Sequence, residues 1–439
     1  MNKIFRIFLV VTVLVSSFGC AKKDKVKLPG KYIDLMQEIN HATPSAELDK
    51  VTIKIPAAVA NNSWLNSNFS LAEIPGNIKI EPILTHSSST YKLQYSKNIY
   101  GASVTPVIDG GVIYVSDNQG QASAYNLDKL NKPIWTSKVI VGGDEKEFAG
   151  GGLALAQSRL VFTFGSKIIV ALDQTSGSEV WRYSLSNISR SAPVIRNGKV
   201  FALTIDNRLY CLDLNNGAMI WTYEGATEQF GVFGFASPIV TDKLVIAPHS
   251  SGQLIALDIK SGEVVWQVSL IKNTNNNTMV YLNDIDMTPI IDHGVIYLSN
   301  YAGVMFAINA NNGQVNWAND TAGGNKFAWI AGDFIYAVNR YNQLVAVQAK
   351  TGMIKWAQNL EEEAGDKKKT KEKFVFSGPI MVNDLLYLTT SDGRLLAFDP
   401  ITGSKAGEYK IAKAVYSPAI AAANHLYFIN NFGTLSIIR

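Results

Sequence analysis

The chain has 439 residues, more than one compact core usually holds, so several domains or a repeat fold are expected. Hydrophobic residues make up 47% and charged residues 17%, which excludes disorder and calls for an extensive buried interior. The formal charge of +4 is small, and the basic residues are spread thinly rather than gathered into the stripe that nucleic-acid binding needs.

The first element in chain order is a targeting signal over residues 1–19. Lys3 and Arg6 supply its positive end, the apolar run 7–15 follows, and Ser16 and Ser17 lead into Phe18, Gly19 and Cys20. The run is short for a bilayer span, so the pattern predicts a cleaved signal rather than a membrane helix. Cys20 stands where a bacterial lipoprotein signal places its lipid-carrying cysteine. Such signals usually carry Leu where Ser17 stands, and the alternative is an ordinary cleaved signal with a coincidental Cys. Residues 20–60, which open with a Lys-rich stretch, read as a lipid-anchored flexible tether, and 61–439 as the folded body. With Cys20 acylated, Cys211 has no cysteine left to pair with, so no disulfide is expected.

From residue 105 onward a repeat dominates. Its clearest copies run from Ala171 to Trp181 and from Ala256 to Trp266, and others run from Cys211 to Trp221, Ala307 to Trp317 and Ala346 to Trp356. Each has Gly four residues before Trp, and usually Asp eight before it. The copy ending at Trp135 has one extra residue and no Gly, and the one beginning at Ala397 has Gly407 in place of Trp. A spacing of about 40–50 residues between tryptophans is that of a propeller blade. Ahead of each copy lies a strand pair joined by a tight turn such as Asn197-Gly198. Asp or Asn can bond the backbone of the turn after it, Gly takes a positive φ, and Trp covers its own blade and packs on the next. The residue at the Ala position must be small, which makes Cys211 a small buried side chain rather than a redox centre.

Pro-containing steps such as Ala192-Pro193 and Ser417-Pro418 open most units, and with the Pro-less ones near Gly152 and Ala328 they number eight. The last unit stops before its fourth strand. Trp64 has no strands of its own upstream, so the segment around it is expected to complete that blade and close the ring. The expectation is an all-β, eight-bladed propeller of four-stranded antiparallel blades, with Trp64, Trp135, Trp181, Trp221, Trp266, Trp317 and Trp356 as packing residues. Trp329 falls outside the pattern.

The Ala-x-Asp-x-x-x-Gly-x-x-x-Trp unit resembles the repeats of pyrroloquinoline-quinone-type propellers. With Cys20, the eight units, Trp64 and Asp284-Ile285-Asp286-Met287-Thr288-Pro289, nearly the whole mature chain is similar to the BamB family of outer-membrane assembly lipoproteins. The resemblance implies a non-catalytic scaffold without cofactor, monomeric within a complex. It also implies a lipid anchor on the periplasmic face of the outer membrane, and Ala21, rather than Asp, after Cys20 agrees with that membrane. The implied partners are the periplasmic domains of the barrel insertase BamA and other barrel-assembly components. The family's binding loops map onto Asp284 and Asp286 and, less well, onto Leu185, Ile188 and Arg190, since Arg190 lies two residues nearer Pro193 than in the family pattern. The plainer readings are a turn cap for the two aspartates and a solvated loop charge for Arg190.

The rival class is a periplasmic quinoprotein oxidoreductase, which needs an axial pocket lined by a cation, carboxylates and stacking aromatics. The sequence has no adjacent cysteine pair, and His41, His86, His249, His293 and His425 lack ligand spacing. Gly142-Gly143 and Gly150-Gly151-Gly152 precede a strand pattern rather than a helix, so they are connections and not a phosphate loop. The Lys-rich run 366–373 reads as a solvated loop.

Overall fold

The computed structural model describes residues 41–67, 76–81, 88–93, 104–117, 120–139, 150–226, 236–271, 284–285, 287–363, 374–411, 415–430 and 433–438. The expected signal, Cys20, residues 20–40, Asp286 and the Lys-rich run lie outside them. From His41 onward the chain is one compact unit.

Apolar residues alternate along short runs that end in Asn, Asp or Gly, and the chain folds into antiparallel meanders. The eight sheets are numbered here in chain order of their first strands: sheet 1 (107–138), sheet 2 (152–184), sheet 3 (194–224), sheet 4 (239–269), sheet 5 (290–319), sheet 6 (324–359), sheet 7 (376–410) and sheet 8 (420–438). First strands of successive sheets approach one another from 1 to 2, 2 to 3, 3 to 4 and 6 to 7, which puts them at the hub and the fourth strands at the rim. The architecture is an all-β propeller, and seven of its sheets are four-stranded antiparallel blades. The expected uniform set of eight is not found. Sheet 7 has six strands, because Val59–Ala60 and Ile78–Lys79 add in parallel beside Phe376–Val382.

The repeat is legible as one contact between neighbouring sheets. Trp181 ends its motif on a fourth strand and donates its indole N–H to the Leu214 carbonyl of sheet 3 at 2.8 Å. The same bond joins Trp135 to Gln174, Trp221 to Ile259, Trp266 to Ala310, Trp317 to Ala349 and Trp356 to Pro400. Each ring also lies on the motif glycine of the next sheet. A Cβ on Gly177, Gly217, Gly262, Gly313, Gly352 or Gly403 would stand 2.4–2.7 Å from the tryptophan before it. The glycine therefore meets two demands, a left-handed φ of 71° to 76° and no side chain under the ring. In four of the six cases a second-strand aromatic of the same sheet backs the indole: Tyr114, Phe201, Tyr297 or Tyr336, with centroids 5.9–6.1 Å apart.

The turn ahead of each glycine forms as its sequence requires. Thr175 and Ser176 donate their backbone N–H groups to Asp173 at 3.1 and 2.9 Å, and Asp213, Asp258 and Asp399 repeat the arrangement. Cys211 pairs across the ladder with Trp221, is fully buried and unbonded to another cysteine, and burial pushes its thiol up to about 12. The unit ending at Trp135 lacks the glycine because the fourth strand of sheet 8, Ser88–Lys92, carries no tryptophan to lay on it. At Gly407 the series stops, and the rim of sheet 7 carries charges instead. Lys405 bonds Glu363 at 2.6 Å and Glu408 at 2.7 Å.

The last sheet corrects the expectation for Trp64. Its fourth strand is Ser88–Lys92, which pairs antiparallel with Thr434–Ile438. Trp64 is a hub residue and packs on no rim. It exchanges backbone hydrogen bonds with Ile108 of sheet 1 at 2.7 and 2.8 Å and is buried. Around it, residues 61–67 stitch four sheets together. Asn61 holds Ala421 and Ala423 of sheet 8, Leu65 and Ser67 hold sheet 2 through Leu155 and Leu153, and Asn66 donates to Pro193 ahead of sheet 3 at 2.8 Å. The inner edges of these first strands are thereby paired rather than open.

Residues 41–60 also belong to the body, so the tether expected through residue 60 does not extend over them. Ser45 donates to Ile354, Lys355 to the Leu48 carbonyl, and Ala42 to Gln343. Trp329 finds its role here. It is fully buried and donates to the Gly76 carbonyl at 2.8 Å, anchoring the N-terminal region to sheet 6.

Two glycines with nearly equal φ separate backbone strain from ring contact. Gly198→Ala, at φ 69° with open space around it, is expected to cost about 1–2 kcal/mol. Gly262→Ala, at φ 75° beneath Trp221, adds overpacking for a total of about 2–4 kcal/mol, read from urea unfolding midpoints. The same assay on Trp64→Ala should show a loss of about 3–5 kcal/mol.

Candidate functional site: a concavity at the loop end of sheets 3 to 5

Each sheet has two ends, one with the turn between first and second strands, the other with the turn between second and third. At the second end, loops of sheets 3, 4 and 5 enclose a concavity of about 380 Å³ that is open to solvent. Its walls include Arg190 and Ser191 ahead of sheet 3, Thr204 and Asn207 from the turn of sheet 3, Ser250 from the turn of sheet 4, and Asp284 ahead of sheet 5. Residues 94 apart in sequence, Arg190 and Asp284, thus share one wall.

The loop carrying Arg190 is braced on both sides. Leu185 and Ser189 donate backbone N–H groups to Lys167 and Ser166 of sheet 2, and the Arg190 carbonyl accepts from Gly151 at 2.6 Å. Toward sheet 3, Ile205 donates to the Ile188 carbonyl, and the Ser189 hydroxyl bonds the Leu203 carbonyl at 3.0 Å. Burial pulls the Arg190 guanidinium below its ordinary value, and an arginine so placed keeps its charge. Asp284 is buried, and its carbonyl accepts from Tyr301 at 2.8 Å. The floor is ordered by Asn207, whose side-chain oxygen accepts from the backbone and hydroxyl of Ser250 at 3.0 and 3.1 Å while its amide donates to Ala226.

Of the five residues read from the sequence as partner contacts, the structure brings Arg190 and Asp284 together. Ile188 is partly buried in the same loop, and Asp286 lies outside the described residues. Leu185 is corrected. It is buried among Val161, Ile169, Trp181 and Val200, so its side chain serves the core between sheets 2 and 3 and offers nothing to a partner.

His249 is a residue that sequence reasoning passed over. It sits in the turn between Pro248 and Ser250, which both line the concavity, and it is fully buried. Its ring stacks on Tyr223, with centroids 6.1 Å apart and planes 28° apart, and lies so close to Gly225 that a Cβ there would be 2.4 Å away. Neither ring nitrogen has a hydrogen-bond partner among the described residues. Burial alone holds the imidazole neutral and lowers its pKa to about 4. A lone His in a polar turn carries no sequence signal for this, because the stacking partner and Gly225 arrive from the neighbouring sheet.

Residues 61–67 run along the first strands of sheets 8, 1 and 2. Among the described residues no three of His, Cys, Asp and Glu come together as a metal site. No helix among them is long and apolar enough to cross a membrane.

A protein-family model described as outer membrane protein assembly factor BamB matches residues 127–358, more than half of the chain. The outer membrane protein assembly factor BamB of Yersinia pestis is 25% identical over 314 residues, covering 70% of this chain and 78% of the relative. The crystal structure of BamB from Moraxella catarrhalis superposes with a TM-score of 0.64 at 20% identity, covering 80% of this chain and 98% of that one. A europium-containing methanol dehydrogenase superposes with a TM-score of 0.62 at 13% identity, covering 84% and 89%. At such identities these two structures speak for the fold alone.

The neutral His249 gives stability a pH dependence. Its folded pKa of about 4 lies below the unfolded value near 6.5, so acid protonates the unfolded chain first. Stability should be complete above pH 6.5 and fall as pH drops toward 4, by roughly 3 kcal/mol in all. His249→Phe, which keeps the stacked ring, should remove that part of the slope in urea unfolding measured from pH 7.5 to 4.

Proposed function

The chain belongs to the family of the outer membrane protein assembly factor BamB, and on that premise we propose that it is a non-catalytic scaffold of the outer-membrane β-barrel assembly machinery. The observation that carries the proposal is the shared wall of Arg190 and Asp284, where two loops that the family resemblance marks as binding elements meet on braced sheets. In this reading the periplasmic domains of BamA dock over the concavity at sheets 3 to 5. A carboxylate and a guanidinium that line one concavity suit charge-assisted hydrogen bonds to a partner, which are stronger than neutral ones. The family resemblance assigns Asp286, which lies outside the described residues, to the same binding element.

Cys20 carries the lipid and residues 21–40 connect it to the body, which places the chain on the periplasmic face of the outer membrane, one copy per complex. The chain's eight sheets form one ring around the hub, with sheet 7 widened by its two added strands. That the fold also serves dehydrogenases keeps a quinoprotein reading in view. Against it stands the segment of Trp64, Asn66 and Ser67, which is buried along the first strands of sheets 1 and 2.

Detergent extraction of native membranes followed by pull-down on this chain should recover BamA, and recovery should drop at least tenfold with Asp284→Ala and Asp286→Ala together. Unchanged recovery removes the site, and no recovery from the unsubstituted chain removes the function. Dye reduction after adding pyrroloquinoline quinone with calcium would establish the oxidoreductase instead.

A further inference from the structure

The rim of the propeller carries a second surface, distinct from the concavity. In sheets 2 to 6 the first residue of the fourth strand lies two residues before its rim tryptophan. In sheet 6 this residue is Ile354, and it is covered. Residues 42–49 of the same chain lie over the strand. Ser45 donates its backbone N–H to the Ile354 carbonyl at 2.8 Å. Lys355 reaches back to the carbonyls of Leu48 and Asp49 at 2.6 and 3.2 Å. Ala42 and Leu48 are buried by the contact, and Ile354, in one apolar cluster with Ala42, is 3% exposed.

The equivalent positions in sheets 3, 4 and 5 are Met219, Val264 and Val315. They are aliphatic or thioether side chains like Ile354, yet they are 50%, 45% and 38% exposed. Their neighbours Ile220 and Val265 are exposed as well. Three successive sheets therefore repeat, uncovered, the edge that the chain covers with its own backbone on the fourth. A rim strand offers carbonyl and N–H groups to any segment laid beside it, and an apolar pair at its start favours an occupant that brings apolar side chains.

We propose that the rims of sheets 3 to 5 bind extended segments of a partner polypeptide in the manner of residues 42–49. Such a segment donates a backbone N–H to the carbonyl two residues before the tryptophan and buries an aliphatic side chain three residues further on, as Ser45 and Leu48 do. The three sites lie side by side, so one long unfolded chain could engage them together and gain affinity by tethering.

The probe is a fluorescent peptide of residues 41–54, titrated into the full chain and followed by polarisation. Saturable binding is expected, at least tenfold weaker for Met219→Asp with Val264→Asp and Val315→Asp. A peptide carrying Leu48→Asp should be weakened similarly. The protein substitutions are at solvent-facing positions, and an unchanged melting temperature checks the fold. Absent binding overturns the proposal, as does equal binding by the triple variant, which would mean simple exchange with the chain's own segment on sheet 6. Self-association of the unsubstituted chain that the triple variant abolishes, in sedimentation runs without peptide, would also overturn it by making the rim a contact between copies.

Discussion

The fold depends on an indole laid over a glycine of the next sheet. A sheet of four strands has two faces and cannot bury both alone, so each must find its neighbour at a fixed distance and angle. The tryptophan sets both. Its ring contacts a backbone with no Cβ in the way, and its N–H must meet one carbonyl beyond. Dispersion between flat ring and bare backbone is large only at close approach, so any side chain in between forfeits it. Six such contacts in succession fix sheets 1 to 7, and the geometry of each depends on the one before.

Where the series ends, other devices take over. Sheets 7 and 8 are joined through their inner ends, where Ser377 bonds the Tyr416 carbonyl at 3.0 Å and Thr389 the Ser417 carbonyl at 2.7 Å. Sheets 8 and 1 are stitched by Asn61 and Trp64. The outcome is a frame that positions the loops between its strands. Arg190 and Asp284 line the same concavity because the Arg190 loop is bonded to sheets 2 and 3 and Asp284 to Tyr301 of sheet 5.

The repeating part of the molecule was legible in the sequence because its signal is local. Asp173, Gly177 and Trp181 lie within nine residues, and turn, φ and ring follow from those residue types. The Gly–Trp spacing even predicted packing on the next blade. The N-terminal region was not legible. Asn61-Asn62-Ser63-Trp64 has no periodicity, and what places it is the unpaired inner edge of strands that come later in the chain. Trp64 reads as part of the last blade because it has no strands of its own upstream and that blade lacks its fourth strand, whereas its environment is set by Ile108. The strand Ser88–Lys92 was missed for a related reason: it is short, polar and isolated, and only its partner at residues 434–438 makes it a strand. At the site, the family resemblance pointed to the loop of residues 185–190 but could not separate Leu185, whose neighbours are core residues of two sheets, from Arg190 five positions on.

Lys92 pairs with Thr434, and Asn61 with Ala421, so segments from near the start of the body and from its last sheet hold each other. A chain synthesised from its N-terminus must therefore carry Asn61 and the strand Ser88–Lys92 without these partners until nearly all of it has been made. The middle sheets can assemble as they appear, since their contacts are between neighbours in sequence. Completion waits for the end. A protein cut short even at residue 433 would leave Ser88–Lys92 without its partner strand and an open edge on sheet 8, which makes truncated copies sticky and readily recognised for removal.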